Sequence, residues 1–258
     1  MWITTATAKK VAAPASQASV RIPGRCLVSI ALTRMIVLVG GRGAPQDGGA
    51  VSTTRERIIE ASRALFMERG YSASGLKQIS DASAAPIGSL YHFFPGGKEE
   101  LAAETLRSSG AAYQALVEAV FDSAPDIVTG VRNCFEGAAD VLRETDYADA
   151  CPIATVALEV ASSDERLRQV TADVFDAWLE SAAIRLVRGG VDPARARELA
   201  TTLIAALEGG FLLSRAAKDT SAMEAIGNAM VELVEGALSS RRDGRRSASP
   251  RRRSARTS

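Results

Sequence analysis

A chain of 258 residues with 47% hydrophobic and only 5% aromatic residues can bury a large core, and its alanine- and leucine-rich apolar set favours helices. The net charge of +1 is unevenly distributed, with +5 over residues 1–50, zero over 52–107, −11 over 108–240 and +7 over 241–258. Because the large region 108–240 is acidic, it would repel phosphates, which excludes a protein that covers DNA with its whole surface. The chain has three cysteines, Cys26, Cys134 and Cys151, whose spacing fits neither a disulfide framework nor a zinc site and indicates a reduced, cytosolic setting. The apolar run at 27–41 is too short to span a membrane.

The two ends of the chain differ in composition from the middle. Residues 1–50 are rich in Ala, Ser, Gly and Pro without sustained periodicity, which predicts a disordered arm. An alternative stays open, that the natural protein starts at Met35 or at another downstream site. Residues 241–258 hold eight arginines and one aspartate among serines, which predicts a disordered tail.

Apolar periodicity and capping residues between these ends predict an all-α fold with nine helices and no strand. Residues 51–107 are predicted to form a three-helix helix-turn-helix domain, and residues 108–240 a six-helix ligand-binding and dimerisation bundle. The predicted helices cover residues 53–69, 75–83, 86–92, 98–121, 125–144, 152–160, 164–189, 192–218 and 221–238.

Residues 76–94 carry the most informative pattern, two short helices joined by a tight turn. Ile79, Ala82, Ala85 and Leu90 are spaced to form a small core between the helices. The second helix then presents a polar face to the outside. A helix-turn-helix needs this arrangement, because one helix braces the other in the major groove of DNA.

Residues 88–101 read Gly-Ser-Leu-Tyr-His-Phe-Phe-Pro-Gly-Gly-Lys-Glu-Glu-Leu, which resembles the signature of the TetR/AcrR regulators. The resemblance extends over residues 53–106. Residues 151–159 and 206–210 resemble the subgroup that includes lincomycin- and flavonoid-responsive repressors. The resemblance implies a homodimer that binds double-stranded operator DNA and leaves it when a small, apolar or aromatic effector binds. Repression is the usual mode in the family, and activation stays open.

The resemblance also implies which side chains meet DNA. Tyr91 is expected to contact a phosphate through its hydroxyl, with simple packing as the alternative. A cation at Lys98 opposes the dipole of the helix that it begins, which suggests an external anion, with a solvated lysine as the alternative. His92, the only histidine, is expected at the DNA or on the plain surface. The predicted DNA-binding residues are Lys77, Ile87, Gly88, Ser89, Tyr91, His92 and Lys98.

Two residues depart from the family pattern. Ala84 stands where the tight turn usually has glycine, and a positive φ there costs alanine about 1 kcal/mol more than glycine. Ile87 stands where a basic or polar residue often reads a base. Its side chain can pack only on an apolar group such as a thymine methyl, so a different base preference is expected there.

The acidic bundle is predicted to dimerise and to sense a ligand. Two apolar stripes on its last two helices are predicted to form an intermolecular four-helix bundle, with an internal core face as the alternative. The interface residues of this prediction are Leu203, Leu207, Phe211, Ile226, Met230 and Leu233. Bulky or polarizable residues are predicted to line the ligand pocket, with a solid core as the alternative. These residues are Cys134, Phe135, Phe175, Trp178 and Phe211.

Other classes of function find less support in the residues. The chain shows no nucleophile–histidine pair, phosphate loop or dinucleotide turn, so no catalytic residue, metal or cofactor is predicted. A redox role for Cys151 is conceivable, because the helix that begins at Pro152 could lower the pKa of the thiol. An architectural DNA binder would use the arginine-rich tail, but the acidic bundle opposes coating DNA.

Overall fold

The structure, a computed structural model, describes residues 53–148 and 150–247. Within these residues the fold is all-α and contains no strand, as predicted. The predicted arm at residues 1–50 lies outside the described residues. The helices are α1 (Thr54–Arg69), α2 (Leu76–Ser83), α3 (Ile87–Phe93), α4 (Gly97–Ser123), α5 (Ile127–Glu144), α6 (Pro152–Val160), α7 (Glu165–Arg188), α8 (Pro193–Ala217) and α9 (Ser221–Ser247).

Side-chain caps explain where four of the helices begin. Thr53 and Glu56 form a reciprocal capping box at the start of α1. Asp126, Asp164 and Asp192 each accept a hydrogen bond from a backbone N–H in the first turn of α5, α7 and α8. These caps satisfy N–H groups that have no partner inside the helix, which is why the beginnings could be predicted to within about two residues.

The far end of α9 differs from the prediction. The helix continues past the predicted end at Leu238 as far as Ser247. Residues 241–247 are therefore helical, although they were predicted to belong to a disordered tail. Residues 248–258 lie outside the described part of the chain.

One hydrophobic core joins the first three helices to the bundle. Phe66, Ile79 and Leu90 are almost fully buried together with Leu101 of α4. The same cluster continues through apolar residues of α6 and α7, including Ile153. The helix-turn-helix unit is therefore packed directly against α4 and α6, so a shift of those helices would be felt in the unit.

A second core lies between α5, α8 and α9. It includes Leu142 and Leu199, which are buried to within 2% of their surface. Leu203 and Met230, which were predicted at the dimer interface, are also buried in this core of their own protomer. They supply the internal face of α8 and α9, so a partner chain would meet other residues.

The helix α8 is long and apolar enough to cross a membrane by length and composition alone. Its apolar side chains contribute to the second core, where Ala196, Leu199 and Leu203 are buried. A core helix of a bundle passes the same test, so the helix by itself gives little support to a membrane span.

The turn between α2 and α3 has the strained backbone that Ala84 suggested. Ala84 ends α2 with φ 50° and ψ 33°, in the left-handed region. Its N–H donates to the carbonyl of Asp81, and the N–H of Ala85 donates to that of Ser80 at 3.2 Å. Ala82 was predicted in the small core but is exposed, and Ser83 takes the buried position instead.

We expect Ala84→Gly to raise the free energy of unfolding by about 1 kcal/mol, because glycine adopts the left-handed conformation without the clash of a Cβ. Urea unfolding followed by circular dichroism measures the change. Ala82→Gly, two residues earlier and exposed inside α2, is the matched control and should lower stability by up to about 1 kcal/mol. A loss of stability in Ala84→Gly would contradict the assignment of strain to this turn.

Candidate nucleic-acid interface and effector pocket

The helix α3 turns one face to solvent and the other into the first core. Leu90 and the following Phe94 are each 2% exposed. Ile87 is 45% exposed and Tyr91 53%, one turn apart on the opposite face. A Cβ placed on Gly88 would meet no atom within 4 Å, so this side of the helix is open to a close approach. The predicted reading residues Ile87, Gly88 and Tyr91 therefore share one accessible surface.

The remaining predicted contacts lie around this surface. Ser89 is half-buried, and His92 is exposed with its ring edge-on to Phe93 at 5.0 Å between centroids. Lys77 is exposed on α2 and forms no ion pair with the described residues. These side chains are at least partly accessible to solvent, as side chains that contact DNA must be.

Hydrogen bonds hold the turn before α3 in place. The Ser80 hydroxyl donates to the Ala85 carbonyl at 2.6 Å. The Arg57 guanidinium of α1 donates to the Ser83 carbonyl at 3.3 Å. Because both bonds end on backbone atoms of the turn, they fix the angle at which α3 leaves it. A reading helix needs such support to present its face reproducibly.

Lys98 has partners inside the protein, which the sequence did not suggest. Its ammonium donates to the Ser72 carbonyl at 3.3 Å and lies 4.3 Å from the ring centroid of Tyr71. Partial burial lowers the pKa of Lys98, and the negative charge of Glu159 acts in the opposite direction. These contacts account for a cation at the start of α4 without an external anion, so the dipole argument no longer supports a phosphate contact.

Glu159 at the end of α6 holds the same loop from the other side. Its carboxylate accepts hydrogen bonds from the backbone N–H groups of Tyr71 at 3.0 Å and Ser72 at 2.8 Å. Gly70 has φ 80°, and a Cβ there would overlap the Glu159 carboxylate. Two features therefore favour glycine at this position, its positive φ and the close approach of the Glu159 carboxylate.

A cavity opens inside the bundle, at the N-terminal end of α6. It encloses about 130 Å³ and is lined almost entirely by apolar surface from α4, α5, α7 and α8. Among its walls are three of the predicted pocket residues, Cys134, Trp178 and Phe211. Its other walls include Tyr113, Phe121, Cys151, Leu207 and Glu208.

Two predicted pocket residues lie elsewhere. Phe135 is buried against α9, where it fills the space beside Gly227. Phe175 packs edge-on against the back of Trp178, with 5.5 Å between ring centroids. The Trp178 ring is itself fixed by a hydrogen bond from its Nε1 to the Gly110 carbonyl at 2.9 Å. Phe175 therefore supports a wall of the cavity without forming one.

Among the described residues, the cavity wall holds one acidic side chain, Glu208, which was not predicted from the sequence. Glu208 interrupts an apolar stretch of α8, and its carboxyl lies close to the Cys151 thiol. Burial raises the pKa of Glu208, and the bond to Cys151 opposes that rise. A lone carboxyl in an apolar stretch is the signal that could have found it, because such a group is costly to bury without a purpose.

Burial makes Cys134 and Cys151 poor nucleophiles. Cys151 caps α6, accepting the N–H of Ala154 at 3.4 Å, yet burial raises the pKa of its thiol well above the usual value. Burial likewise raises the pKa of Cys134 to about 12. The idea that the helix dipole lowers the pKa of Cys151 is therefore wrong, because desolvation outweighs the dipole.

We expect Glu208→Gln to make the protein more heat-stable relative to wild type as the pH rises. Because burial raises the folded-state pKa of Glu208 above its usual 4.5, its ionisation costs the folded state free energy. That cost is absent below the unfolded-state pKa and grows as pH rises through the folded-state pKa. Melting temperatures measured from pH 4.5 to 8 should diverge in favour of the variant, and parallel curves would contradict the assignment.

The predicted dimer residues fall into three environments. Leu203 and Met230 are buried in their own core, as described above. Leu207 and Phe211 line the cavity, so charged side chains there would fill it. Ile226 packs partly buried beside Gly210, and Leu233 is 44% exposed. Of the six residues, Leu233 is thus the one most available to a partner chain.

A different face of α8 and α9 is open. Leu212 is 67% exposed on α8, and a Cβ on Gly209 or on Gly236 of α9 would meet no atom within 4 Å. Exposed alanines and Leu233 lie in the same rows. We call this surface, formed by Ala205, Gly209, Leu212, Ala229, Leu233 and Gly236, the outer α8/α9 face.

Comparison with known proteins agrees with this architecture. Residues 58–105 match the family described as bacterial regulatory proteins, tetR family, and residues 127–229 match the family described as transcriptional regulator LmrA/YxaF-like, C-terminal domain. The chain is 35% identical to the uncharacterized HTH-type transcriptional regulator YxaF of Bacillus subtilis, over 70% of this chain and 95% of that protein. It is 30% identical to the HTH-type transcriptional regulator LmrA of the same organism, over 70% of this chain and 97% of LmrA.

Solved structures have the same fold. The crystal structure of a TetR transcriptional regulator from Legionella pneumophila matches with a TM-score of 0.64 at 21% identity, over 72% of this chain and 99% of that one. A regulatory protein TetR from Rhodobacter sphaeroides matches with a TM-score of 0.62 at 18% identity, over 70% and 98%. With a relative at 35% identity over nearly its whole length, the chain belongs to the TetR family of transcriptional regulators.

Proposed function

We propose that the protein is a cytoplasmic, homodimeric repressor that binds a palindromic operator and is released from it by a small effector. The observation that carries the proposal is the exposed face of α3 on a helix-turn-helix unit whose core continues into the cavity-bearing bundle. An open reading face gives a means of binding DNA, and a cavity in the same packed body gives a means of control.

In the DNA-bound form, α3 of each protomer lies in a major groove. Gly88 lets the helix approach the groove closely, and Ile87 packs on a thymine methyl. Tyr91 and Ser89 donate to phosphates, and His92, Lys77 and Lys98 lie beside the backbone. Lys98 has a second role in this arrangement, because its bonds to Ser72 and Tyr71 brace the unit from within.

The dimer forms through the outer α8/α9 face. The glycines and alanines of this face let two helix pairs approach closely, and Leu212 and Leu233 are the apolar side chains that a partner would cover. A two-fold axis through such a four-helix interface carries the two α3 helices to equivalent half-sites, which is why a palindromic operator is expected.

The helix α6 couples the cavity to the DNA-binding unit. Its first residue follows Cys151, whose thiol lies close to Glu208 in the cavity wall, and its penultimate residue Glu159 holds the loop that also anchors Lys98. With nine residues the helix is about 13 Å long. A ligand that displaces Cys151 therefore acts at one end of α6, and the other end of this short helix contacts the helix-turn-helix unit.

We expect Glu159→Ala to loosen this connection, because two backbone N–H groups lose a charged acceptor. Hydrogen exchange of the Tyr71 and Ser72 amides should speed up by about tenfold or more, and operator affinity should fall. Glu165→Gln removes a surface carboxylate paired with Arg168 at the start of α7 and is the matched control. Unchanged exchange at both amides would contradict the role of Glu159.

Selection of genomic fragments by the purified full chain tests the proposed function. In about 150 mM salt with excess competitor DNA, we expect a small set of fragments to be enriched that share a palindrome and bind about 1,000-fold or more above the competitor. Uniform, salt-labile binding without an enriched sequence would contradict a specific repressor and favour the architectural DNA binder that uses its arginine-rich ends.

A further inference from the structure

Among the described residues, the cavity wall holds one acidic side chain, Glu208. The polar group that acts on its carboxyl is the Cys151 thiol, a weak donor. Most of the wall is apolar or aromatic, and its other polar side chains include Gln114, Ser181 and Arg185. A carboxyl in such a place is poorly solvated, so a ligand that brings a positive charge or a strong donor to it gains more than it would at the surface.

The aromatic walls favour the same kind of ligand. Tyr113, Phe121, Trp178 and Phe211 line the cavity. Tyr113 and Trp178 meet edge to face, 6.5 Å apart between centroids. The face of an aromatic ring attracts cations through its quadrupole, and it also packs well on a flat apolar ring.

The charged groups around the cavity oppose an anionic ligand. Arg185 is the one basic side chain in the wall within the described part of the chain, and its guanidinium is already paired with Asp122 at 2.9 Å and Glu118 at 3.4 Å. It also donates to the Ser181 hydroxyl at 2.8 Å. Two carboxylates thus neutralise one guanidinium, and Glu208 adds a third acidic group, so the surroundings carry excess acid.

The size of the cavity limits the ligand. A cavity of about 150 Å³ lined by apolar side chains holds a benzene ring, and this one encloses about 130 Å³. The cavity is therefore close to the size of a single aromatic ring, and a short substituent on the ring has to reach the opening of the cavity or displace a side chain. Larger molecules would have to move side chains such as Leu207.

We propose that the effector is a small aromatic amine whose ammonium group binds the Glu208 carboxylate while its ring packs on Trp178 and Phe211. The inference rests on the proposed function, since it assigns the ligand class of that cavity. On binding, the ammonium takes the place of the Cys151 thiol at Glu208. The cap at the start of α6 is thereby released from α8, which is the motion that the coupling through α6 requires.

Three fluorinated probes of nearly equal size and different charge test the proposal with the full chain. They are 4-fluorobenzylamine, 4-fluorobenzyl alcohol and 4-fluorobenzoate, and their binding is followed by ¹⁹F NMR line broadening. We expect the amine to bind about tenfold or more tighter than the benzoate, because a charge-assisted hydrogen bond to a poorly solvated carboxylate contributes at least that much. Leu207→Trp, which fills the cavity, should abolish binding of the amine.

The variant Glu208→Gln separates the carboxylate from the cavity. We expect it to lose the preference for the amine, by about tenfold, while its affinity for the alcohol changes little. Glu198→Gln, an exposed carboxylate on the same helix paired with Arg195, should bind like the wild type. Unfolding curves establish that each variant is folded.

Two results would overturn the inference, and they lead to different conclusions about the cavity. If the benzoate binds the wild type as tightly as the amine, or if Glu208→Gln keeps the preference, the ligand class is wrong and the cavity remains an effector site. If none of the three probes binds, both the ligand class and the proposed effector cavity are contradicted.

Discussion

Gly209→Arg is expected to convert the protein to monomers and to lower operator affinity by about 1,000-fold or more, towards the level of non-specific binding. A Cβ at Gly209 meets no atom within 4 Å in the protomer, so the larger side chain leaves the fold intact. In the dimer, two-fold symmetry would bring two arginines into one apolar interface, where unpaired charge is strongly unfavourable. Analytical ultracentrifugation and fluorescence anisotropy with the selected operator measure the two effects.

Other positions show whether the effect belongs to the outer α8/α9 face. Gly236→Arg on α9 also meets open space in the protomer and should act like Gly209→Arg. Ala119→Arg, exposed on α4 away from this face, should stay dimeric and bind the operator normally. A dimeric Gly209→Arg protein with unchanged affinity would show that the chains meet elsewhere.

Tyr91→Ala is expected to weaken operator binding by roughly 30- to 150-fold. One phosphate hydrogen bond contributes about 1–1.5 kcal/mol, and the dimer loses two of them. Tyr91 is 53% exposed on α3, so the change leaves the first core undisturbed. Anisotropy titrations at fixed salt measure the loss, and urea unfolding checks that the free energy of unfolding is unchanged within about 0.5 kcal/mol.

Tyr91→Phe distinguishes the hydroxyl from the ring. If the hydroxyl donates to a phosphate, the phenylalanine variant should lose most of the affinity that the alanine variant loses. An affinity equal to wild type in both variants would mean that Tyr91 does not face the DNA and that another part of α3 carries the contacts.

Local signals explain why much of the fold could be predicted from the sequence. Capping residues such as Asp126 and Asp192, and the glycine at position 70, act through bonds within a few residues, so they mark helix ends reliably. The strained turn at Ala84 was expected on other grounds, because the TetR/AcrR pattern usually has glycine at this position. The end of α9 was not, because residues 239–247 offer no glycine or proline cap before position 244 and their polar composition resembles a tail.

The site was harder to predict, because periodicity indicates which residues share a face but not what the face meets. The stripe containing Leu203 and Leu207 is apolar, yet Leu203 contacts both the protomer core and the cavity, and Leu207 lines the cavity. The outer α8/α9 face is built from small residues, which give a weaker hydrophobic pattern than leucine and phenylalanine. The internal contacts of Lys98 could not be predicted, because Ser72 and Tyr71 come from a loop 26 and 27 residues earlier.

Footprinting of the selected operator by hydroxyl radicals at about 150 mM salt tests most directly that α3 reads DNA as part of a dimer. The account predicts two protected segments related by two-fold symmetry and separated by about one helical turn or a multiple of it, with Tyr91→Ala needing roughly 30- to 150-fold more protein for the same protection. It also predicts that deletion of residues 248–258 leaves the footprint in place. A single unsymmetrical or diffuse footprint, or one that survives Tyr91→Ala unchanged, would contradict the account.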